Sequence, residues 1–532
     1  MFVRFSLFIA SGLCLTQPAF GQDARDLEYR EVKTSASKDG LQASGRFESA
    51  WYEYNNLDFR ALDESSDQSI LDSDDRGEFA FTGLSLELAH RVDDRVNLVV
   101  GTSYRGLWGN DQFGNTNPWG GLFYFNAAYV ETWLGDKPKK SPRLRIGRQY
   151  FEIGGLNRGN DYALADVLDM VRVDLPLGDW GNLIVVPVNV FSATSDHDGA
   201  NFVSYIGQAA PSTFNFGGDT VTRRHMMVLE ATELGAIEAR VYAAYSDIGA
   251  AAVDPASAGY GTGSDISYGG LLGNFADNDW VANAGVRLTG EWGAVKPWLV
   301  LDASTGIDRK ELVAQDVNTD GLAWGGGVQV DQRAEKTRDG ILLTASYYDA
   351  MGAGYSDNGL LFSHGYVGLK GRHAGGMIFN RFLGMHPSAY VSRFGVSNRP
   401  HEQSRKAGTR ELHAAVAANL SGPVSMRLAW WMLQDTGITS LNLNKLDNIT
   451  PPFGYSRSEF AAQERMGQVL GHEVNAHIGV ENGEKMEFFL SGGAVLGSDF
   501  YGVEVARVAG SALGSRNPAM PWSAAAGTKV RF

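Results

Sequence analysis

The chain ends in Gly527-Thr528-Lys529-Val530-Arg531-Phe532, and this stretch decides the fold. Chain termini usually fray into polar, loosely held tails. Here Val530 and Phe532 alternate with Lys529 and Arg531 up to the last residue. Alternation of apolar and charged side chains is typical of a half-buried β-strand. We therefore expect the chain to end within a strand that pairs with the first strand of the protein, near residues 45–54.

The same period-two alternation recurs along the whole chain. Residues 285–292, GVRLTGEW, place Val286 and Leu288 on one face of a strand and Arg287, Thr289 and Glu291 on the other. We assign about twenty such segments. They lie at residues 44–54, 77–90, 95–107, 122–134, 143–151, 168–175, 182–194, 222–232, 235–246, 279–292, 294–305, 322–333, 338–350, 360–373, 375–384, 409–420, 423–434, 468–480, 484–496 and 522–532.

The connections between these segments alternate between short turns and long polar stretches. Outer-membrane barrels have short periplasmic turns and long extracellular loops. Lipid offers no hydrogen-bond partner to the backbone, so a sheet that crosses a bilayer must close on itself. We predict an all-β fold, a single transmembrane antiparallel β-barrel of about 18 strands, with 16 to 20 acceptable. A soluble β-solenoid or multi-domain sandwich is the alternative, and the absence of a short repeat disfavours it.

Composition and the N-terminus point to export. The 532 residues carry a net charge of −15, which argues against a nucleic-acid partner because phosphate binding needs concentrated Lys and Arg. Arg4, an apolar run at residues 5–15 and small residues around a cleavage site after Gly21 form a signal peptide. The one cysteine, Cys14, lies inside it. We therefore predict a signal peptide at 1–21, a periplasmic segment at 22–43 and a barrel at 44–532 in a Gram-negative outer membrane.

Two stretches resemble landmarks of the alginate-export family of outer-membrane porins. One is RLRIGRQY at residues 143–150, followed by a loop and LDMVRVDL at 168–175. The other is LGHEVN at 470–475, followed by GGAVLGSDFYG at 492–502, and HPSAYVSRFG at 386–395 is similar to a basic loop of the family. The chain departs from the family in Asn475, in Ser498-Asp499 and in an apparent extra hairpin around 360–384. The resemblance implies an 18-stranded barrel with an arginine-lined pore for an anionic polymer.

Strand alternation also assigns residues to the lumen. In a large barrel the inward face is polar and can line a water-filled channel. Rings of Arg or Lys favour anion passage, and the planar guanidinium suits carboxylate or phosphate. The predicted pore-lining residues are Arg105, Arg143, Arg145, Arg148, Gln149, Arg172, Arg240, Arg287, Lys370, Arg427 and Glu473. The alternative is that these charges pair with one another and merely fill the wall.

Arg148 breaks the alternation of its strand. Leu144 and Ile146 should face lipid, and Arg148 shares their parity. A charge there costs about 2–4 kcal/mol at the bilayer midplane and little near the interface. Arg148 therefore lies at the outer rim, or a β-bulge turns it inward. The family resemblance favours the second interpretation, a role in the pore.

Two further sets of residues carry specific expectations. Gly527, Val530 and Phe532 resemble the C-terminal signal that the barrel-assembly machinery reads. Asp316, Asn318 and Asp320 match the first half of a calcium loop, although the twelfth position is Gly327 rather than Glu. A solvated extracellular turn without a cofactor is the competing interpretation. Other expected partners are outer-membrane lipid and lipopolysaccharide.

The sequence thus predicts a passive outer-membrane channel, anion-selective, for a small solute or an anionic polysaccharide. A nutrient-uptake porin of the same fold is the first alternative. A barrel hydrolase is less favoured, because no catalytic motif such as G-x-S-x-G or H-E-x-x-H is present. A structural barrel with a filled lumen is the third alternative.

Overall fold

The computed structural model describes most of the predicted wall. The described residues are 41–55, 76–107, 122–135, 140–153, 163–192, 221–249, 278–310, 315–318, 320–332, 340–351, 354–355, 361–363, 365–366, 369, 376–378, 409–419, 423–435, 469–483, 485–496 and 520–532. The predicted signal peptide and the periplasmic segment up to residue 40 lie outside them. Within the described part, no helix is long and apolar enough to cross a membrane.

Eighteen antiparallel strands form one closed wall, as predicted. They are β1 (Leu41–Asn55), β2 (Arg76–Arg91), β3 (Val96–Leu107), β4 (Leu122–Trp133), β5 (Arg143–Glu152), β6 (Ala165–Pro176), β7 (Gly181–Ser192), β8 (Val221–Leu234), β9 (Ile237–Gly249), β10 (Asn278–Gly290), β11 (Val295–Lys310), β13 (Gly321–Asp331), β14 (Gly340–Ala350), β17 (Thr409–Asn419), β18 (Val424–Asp435), β19 (Val469–Asn482), β20 (Met486–Leu496) and β21 (Trp522–Arg531). Three short strands, β12 (Gln315–Asn318), β15 (Gly354–Tyr355) and β16 (Leu361–Ser363), pair beyond the wall at its long-loop rim.

The last strand closes on the first, which confirms the expectation drawn from the C-terminus. β1 pairs with β21 in continuous register from Arg46 opposite Arg531 to Asn55 opposite Trp522. The terminal residue extends the ladder: the Gly45 N–H donates to the Phe532 carbonyl at 2.9 Å, and the Phe532 N–H donates to the Gly45 carbonyl at 3.0 Å. The sheet therefore has no free edge.

The connections sort onto two rims. Pairs such as β2–β3, β8–β9 and β10–β11 are joined by four residues or fewer, at 92–95, 235–236 and 291–294. The start of β1 and the end of β21 lie at this same rim. The connections at the opposite rim are mostly much longer, such as residues 56–75 and 351–408. This is the arrangement of a barrel with short periplasmic turns and long extracellular loops.

The two faces of the wall differ in chemistry. The outward face carries large apolar side chains such as Leu299, Leu301, Leu428 and Leu490, each about half exposed. The inward face carries buried polar and charged side chains on nearly every strand. Aromatic pairs lie on the outward face toward the long-loop rim: Tyr245 with Trp280, Trp324 with Tyr347, and Trp430 with His472. An apolar belt with aromatic rings at its border is the surface that a bilayer requires.

The predicted extra hairpin at 360–373 and 375–384 is wrong as a part of the wall. β14 pairs directly with β17, from Gly340 opposite Asn419 to Asp349 opposite Arg410, which leaves no place for two more wall strands. Residues 361–363 form β16, which pairs with β12 and β15 instead. The segment holds five glycines within residues 365–378. Glycine weakens a strand interior and marks close backbone approach, so the composition favours a non-wall role.

Candidate functional site

Three of the predicted pore arginines form one cluster on the inward face of β5 and β6. Arg143 donates through Nε to Asp174 at 2.7 Å and through Nη1 to Glu131 at 3.3 Å. Arg145 pairs with the same Glu131, and Arg172 donates to Asp174 at 2.6 Å. Three guanidinium groups therefore share two carboxylates. The side chains of Arg145, Glu131 and Asp174 are almost fully buried, whereas Arg143 keeps 27% of its side chain exposed.

A second buried ion pair lies on β9–β11. Arg287 is 2% exposed and its Nη1 lies 2.6 Å from Asp302 Oδ1. The Tyr242 hydroxyl donates to the same oxygen at 2.7 Å, and the guanidinium of Arg287 lies over the Tyr242 ring at 5.3 Å. A Cβ at Gly285 would overlap Asp302 Oδ1, so glycine leaves room for this carboxylate. Arg287 points into the lumen but is engaged by the wall itself.

The other predicted pore residues have mixed positions. Arg240 points inward and pairs with Glu230 at 3.1 Å, and Gln149 is 1% exposed on the inward face. Arg427 follows the inward parity of β18, opposite His477. The side chain of Arg105 and the whole of Lys370 lie outside the described residues. The alternative to a free cationic lining was that these charges pair with one another within the wall. The ion pairs described above support that alternative.

Arg148 faces outward, so its assignment as a pore residue is not supported. β5 pairs with β6 in unbroken register, with Arg148 directly opposite Asp169, and no bulge turns the side chain inward. The guanidinium makes a two-point contact with Asp169, at 2.6 and 3.0 Å. Both side chains are about half exposed on the outer surface. The interpretation that a β-bulge turns Arg148 inward is therefore wrong, and the residue lies on the outward face within β5.

Arg148→Ala is therefore expected to leave ion selectivity unchanged and to cost at most about 1 kcal/mol of stability, as is usual for an exposed ion pair. Arg143→Ala is the matched comparison from the same strand, because Arg143 is partly exposed to the lumen. Losing that cation should shift the reversal potential in the direction that indicates greater cation permeability. Reversal potentials measured in planar bilayers under a salt gradient check both variants. An equal shift in the two would contradict the outward assignment.

Apolar side chains cover one part of the inward face, which the alternation argument did not anticipate. Met170, Ile184, Val186, Met226 and Val228 point inward from β6–β8 and are buried. Ile153, Ala163 and Leu164, from the connection after β5, pack against them and are fully buried. The Ile153 N–H donates to the Leu164 carbonyl at 3.1 Å. The ends of this connection thus lie inside the barrel. Residues 183–188, LIVVPV, are apolar on both faces, which is a sequence signal for a strand covered on both sides.

A second segment enters the lumen from the long connection between β14 and β17. We call residues 365–378 the crossing segment; Gly365, Tyr366, Leu369 and Gly376–Ile378 are its described residues. Its first contact is with the wall at β13 and β14, where the Tyr366 N–H donates to the Met351 carbonyl at 2.9 Å. Tyr366 is fully buried in a cluster with Val300, Ala323, Tyr348 and Ala350.

The crossing segment then contacts two nearly opposite walls. The Leu369 carbonyl accepts a hydrogen bond from Arg224 Nη2 of β8 at 2.9 Å. The Ile378 N–H donates to Glu473 Oε1 of β19 at 2.7 Å, and the Met377 N–H donates to Asn475 Oδ1 at 3.3 Å. Around the wall, β8 and β19 are eight strand-to-strand steps apart in one direction and ten in the other. The described residues of the segment therefore contact nearly opposite parts of the inward face.

Glu473 thus points inward as predicted, but it contacts backbone N–H groups. It is 0% exposed, as is Asn475 two residues later. The LGHEVN stretch that resembles the alginate-export family is therefore the wall site against which the crossing segment ends. No feature of the strand sequence alone indicated this contact, because its partners lie about 95 residues away.

The predicted calcium residues lie at the long-loop rim. Asp316 and Asn318 belong to β12, which pairs back on β11, and the Asp320 carboxylate accepts a hydrogen bond from the Thr305 hydroxyl at 2.6 Å. The side chain of Asp316 lies outside the described residues. Among the described residues, no group of three His, Cys, Asp or Glu side chains could hold a metal ion. Calcium binding stays a prediction.

One inward cluster has the residue types of a hydrolase relay. His477 Nδ1 lies 2.7 Å from Ser491 Oγ, and His477 Nε2 lies 3.2 Å from Glu487 Oε1. However, β20 is paired on both sides, with β19 and β21, so the backbone N–H groups next to Ser491 serve the sheet. Acyl transfer needs donors aimed at the developing oxyanion. The cluster therefore fits a wall network better than a nucleophile.

No family model matches the chain, and no curated protein matches it. Among solved structures, the chain is similar to a BenF-like porin from Pseudomonas fluorescens Pf-5, with a TM-score of 0.45 and 9% identity over 92% of this chain and 99% of that chain. It is also similar to Pseudomonas aeruginosa OccD3 (OpdP), with a TM-score of 0.45 and 9% identity over 96% of each chain. For Pseudomonas aeruginosa OprD, the TM-score is 0.43 and the identity 10%, over 94% and 98%. At these low values the likenesses carry no conclusion about the solute or the direction of transport.

Proposed function

We propose that this chain is an outer-membrane porin through which small polar solutes diffuse passively into the cell. The observation that carries the proposal is a closed barrel with an apolar exterior, in which described residues of the crossing segment contact nearly opposite parts of the inward face. A polar lumen supports water and solutes, and a segment inside it limits their size. Because flow through a passive channel follows the concentration gradient, solutes consumed inside the cell enter through it.

This proposal favours nutrient uptake over the export of an anionic polysaccharide. A polymer conduit needs an unobstructed path lined by cations that are available to the polymer. Here the crossing segment reaches nearly opposite walls, and the inward arginines at 143, 145, 172, 240 and 287 are each paired with a wall carboxylate. An arginine engaged in this way offers a solute less than its full charge.

A weak preference for anions is part of the proposal. The cluster of Arg143, Arg145 and Arg172 carries three cations against the two carboxylates of Glu131 and Asp174, which is one positive charge in excess among these five side chains. The partly exposed Arg143 presents it to the lumen. The associated expectations remain proposals: a cleaved signal peptide, contact with lipopolysaccharide, and recognition of Gly527, Val530 and Phe532 by the barrel-assembly machinery.

Liposome swelling and planar-bilayer recordings test the function together. We expect swelling rates with neutral sugars to fall steeply with sugar size, and single-channel currents with a modest preference for anions. Release of alginate oligomers from loaded liposomes at rates comparable with monosaccharides would overturn the uptake proposal in favour of polymer export. A planar bilayer that contains the folded protein and shows no conductance would overturn the channel proposal itself.

Replacing residues 365–378 with a short Gly-Ser linker is the matching structural variant. We expect the single-channel conductance to rise severalfold and larger sugars to become permeant, because Leu369 and Gly376–Ile378 no longer occupy the lumen beside β8 and β19. Folding is checked by the heat-modifiable mobility of the barrel on SDS gels. A folded variant with wild-type conductance would show that the narrowest part of the channel lies elsewhere.

The hydrolase alternative has its own test in the His477 cluster. His477→Ala should leave the hydrolysis of ester and peptide substrates at the background rate of the wild type, because the cluster serves the wall. A wild-type hydrolase activity that disappears in His477→Ala and Ser491→Ala would establish an enzyme in place of a simple channel.

A further inference from the structure

The far end of the crossing segment is held by two side-chain acceptors of one strand. Glu473 Oε1 accepts the Ile378 N–H at 2.7 Å and Asn475 Oδ1 accepts the Met377 N–H at 3.3 Å. Both acceptors point inward from β19, two residues apart, and both residues are fully buried.

Two glycines make this contact possible. A Cβ at Gly376 would overlap the carboxylate of Glu473, and a Cβ at Gly493 of β20 would overlap Asn475 Oδ1. The same Cβ at Gly493 would lie 3.4 Å from the Cβ of Met377. The end of the crossing segment therefore lies flat against β19 and β20, with backbone rather than side chain facing the acceptors.

The other two contacts of the crossing segment rest mainly on apolar packing. Tyr366 belongs to a buried cluster on β11, β13 and β14, and Leu369 belongs to the apolar cluster on β6–β9. The Tyr366 N–H also donates to the Met351 carbonyl, and the Leu369 carbonyl accepts from the Arg224 side chain. The end at β19 differs because two wall acceptors contact consecutive backbone N–H groups there. Removing those acceptors releases this end while the other two contacts remain.

We propose that Glu473 and Asn475 are positioning residues, which hold Gly376–Ile378 against the inner face of β19 and thereby set the open area of the channel beside that strand. This inference rests on the proposed porin function. Glu473 acts as a hydrogen-bond acceptor here, and its charge is not displayed to passing ions. A carboxamide at this position can accept the same N–H, whereas a methyl group cannot.

The acceptor role and the charge role predict different results for two substitutions. Glu473→Gln should keep the wild-type conductance and the wild-type reversal potential, because the acceptor remains. Glu473→Ala should raise the mean conductance severalfold and increase current noise, because the end of the segment is released. Asn475→Ala should have a smaller effect of the same sign, in line with its longer hydrogen bond. Single-channel recordings of folded protein, checked by heat-modifiable mobility, measure all three.

A reversible cross-link provides the control for position. Met377→Cys with Gly493→Cys places two Cβ atoms at about the separation that a disulfide requires. The chain has one natural cysteine, Cys14, near its N-terminus. We combine the two substitutions with Glu473→Ala and Asn475→Ala, which also removes the overlap at Asn475 Oδ1. Oxidation should restore the wild-type conductance, and a reductant should raise it again.

The outcomes separate this inference from the proposed function. Equal shifts of the reversal potential in Glu473→Gln and Glu473→Ala, at unchanged conductance, would overturn the positioning role and assign Glu473 to ion selection. A conductance in Glu473→Ala that oxidation of the cysteine pair does not reverse would also overturn it. Wild-type protein without any conductance would instead overturn the porin function.

Discussion

Deleting Phe532 is expected to abolish most of the folded protein in the outer membrane. The last residue makes two backbone hydrogen bonds with Gly45, and its ring lies over Gly45 on the outward face. Each backbone hydrogen bond contributes on the order of 1 kcal/mol in water. In lipid the unpaired groups of Gly45 find no substitute partner, so the loss is larger. Outer-membrane fractionation and heat-modifiable mobility measure the effect.

One control variant, assayed in cells and in refolding from urea, separates barrel closure from recognition by the assembly machinery. Gly45→Val keeps the C-terminus intact but places a side chain where the Phe532 ring and the Ser85 carbonyl lie. It should impair folding both in cells and in refolding from urea into lipid. Loss of Phe532 should impair both as well, with the larger effect in cells if the machinery reads this residue. Normal refolding and normal insertion of the deletion variant would refute the closure argument.

Asp302→Ala is expected to destabilise the barrel by about 3–5 kcal/mol, the usual cost of removing one partner of a buried ion pair. Arg287 is 2% exposed, and Asp302 accepts from both Arg287 and the Tyr242 hydroxyl. Without this carboxylate, the guanidinium loses its short contact at 2.6 Å and the Tyr242 hydroxyl loses its acceptor. Urea-unfolding midpoints in detergent, followed by tryptophan fluorescence, give the loss in stability.

The double variant Arg287→Met with Asp302→Leu is the matched control. Replacing a whole buried ion pair with apolar side chains of similar volume is often neutral or stabilising. We therefore expect the double variant to be more stable than Arg287→Met alone or Asp302→Leu alone. The coupling free energy in this double-mutant cycle should be about 1–3 kcal/mol. Additive losses in the cycle would mean that Arg287 and Asp302 do not stabilise each other.

The alternation of apolar and polar side chains predicted the strands of the wall closely. Eighteen of the assigned segments coincide with wall strands, because a strand between lipid and an aqueous lumen must alternate apolar and polar side chains residue by residue. The same argument placed Arg143, Arg145, Arg172 and Arg287 on the inward face. It also placed Val530 and Phe532 outward and Lys529 inward.

Alternation cannot identify what a residue contacts. Residues 360–384 alternate like wall strands, yet β16 pairs at the long-loop rim and Gly376–Ile378 contact the inward face of β19, because pairing partners depend on contacts far away in the chain. Alternation gives Arg148 and Arg145 opposite parity, but it does not show that Arg148 pairs with Asp169 and Arg145 with Glu131. Which carboxylate neutralises which arginine depends on register between strands, and neither strand alone contains that information.

The sequence by itself determined three features of the architecture: an antiparallel barrel, its two rims and the closure of β21 on β1. These follow from the repeating requirement that each strand satisfies lipid on one side and a polar interior on the other. Only the tertiary structure decided how the lumen is filled. The crossing segment reaches Arg224 and Glu473, about 145 and 95 residues from its contacts in sequence, through backbone groups that every residue carries. Contacts made by backbone atoms leave no residue type to recognise, so the sequence does not show that Leu369 meets β8 or that Ile378 meets β19.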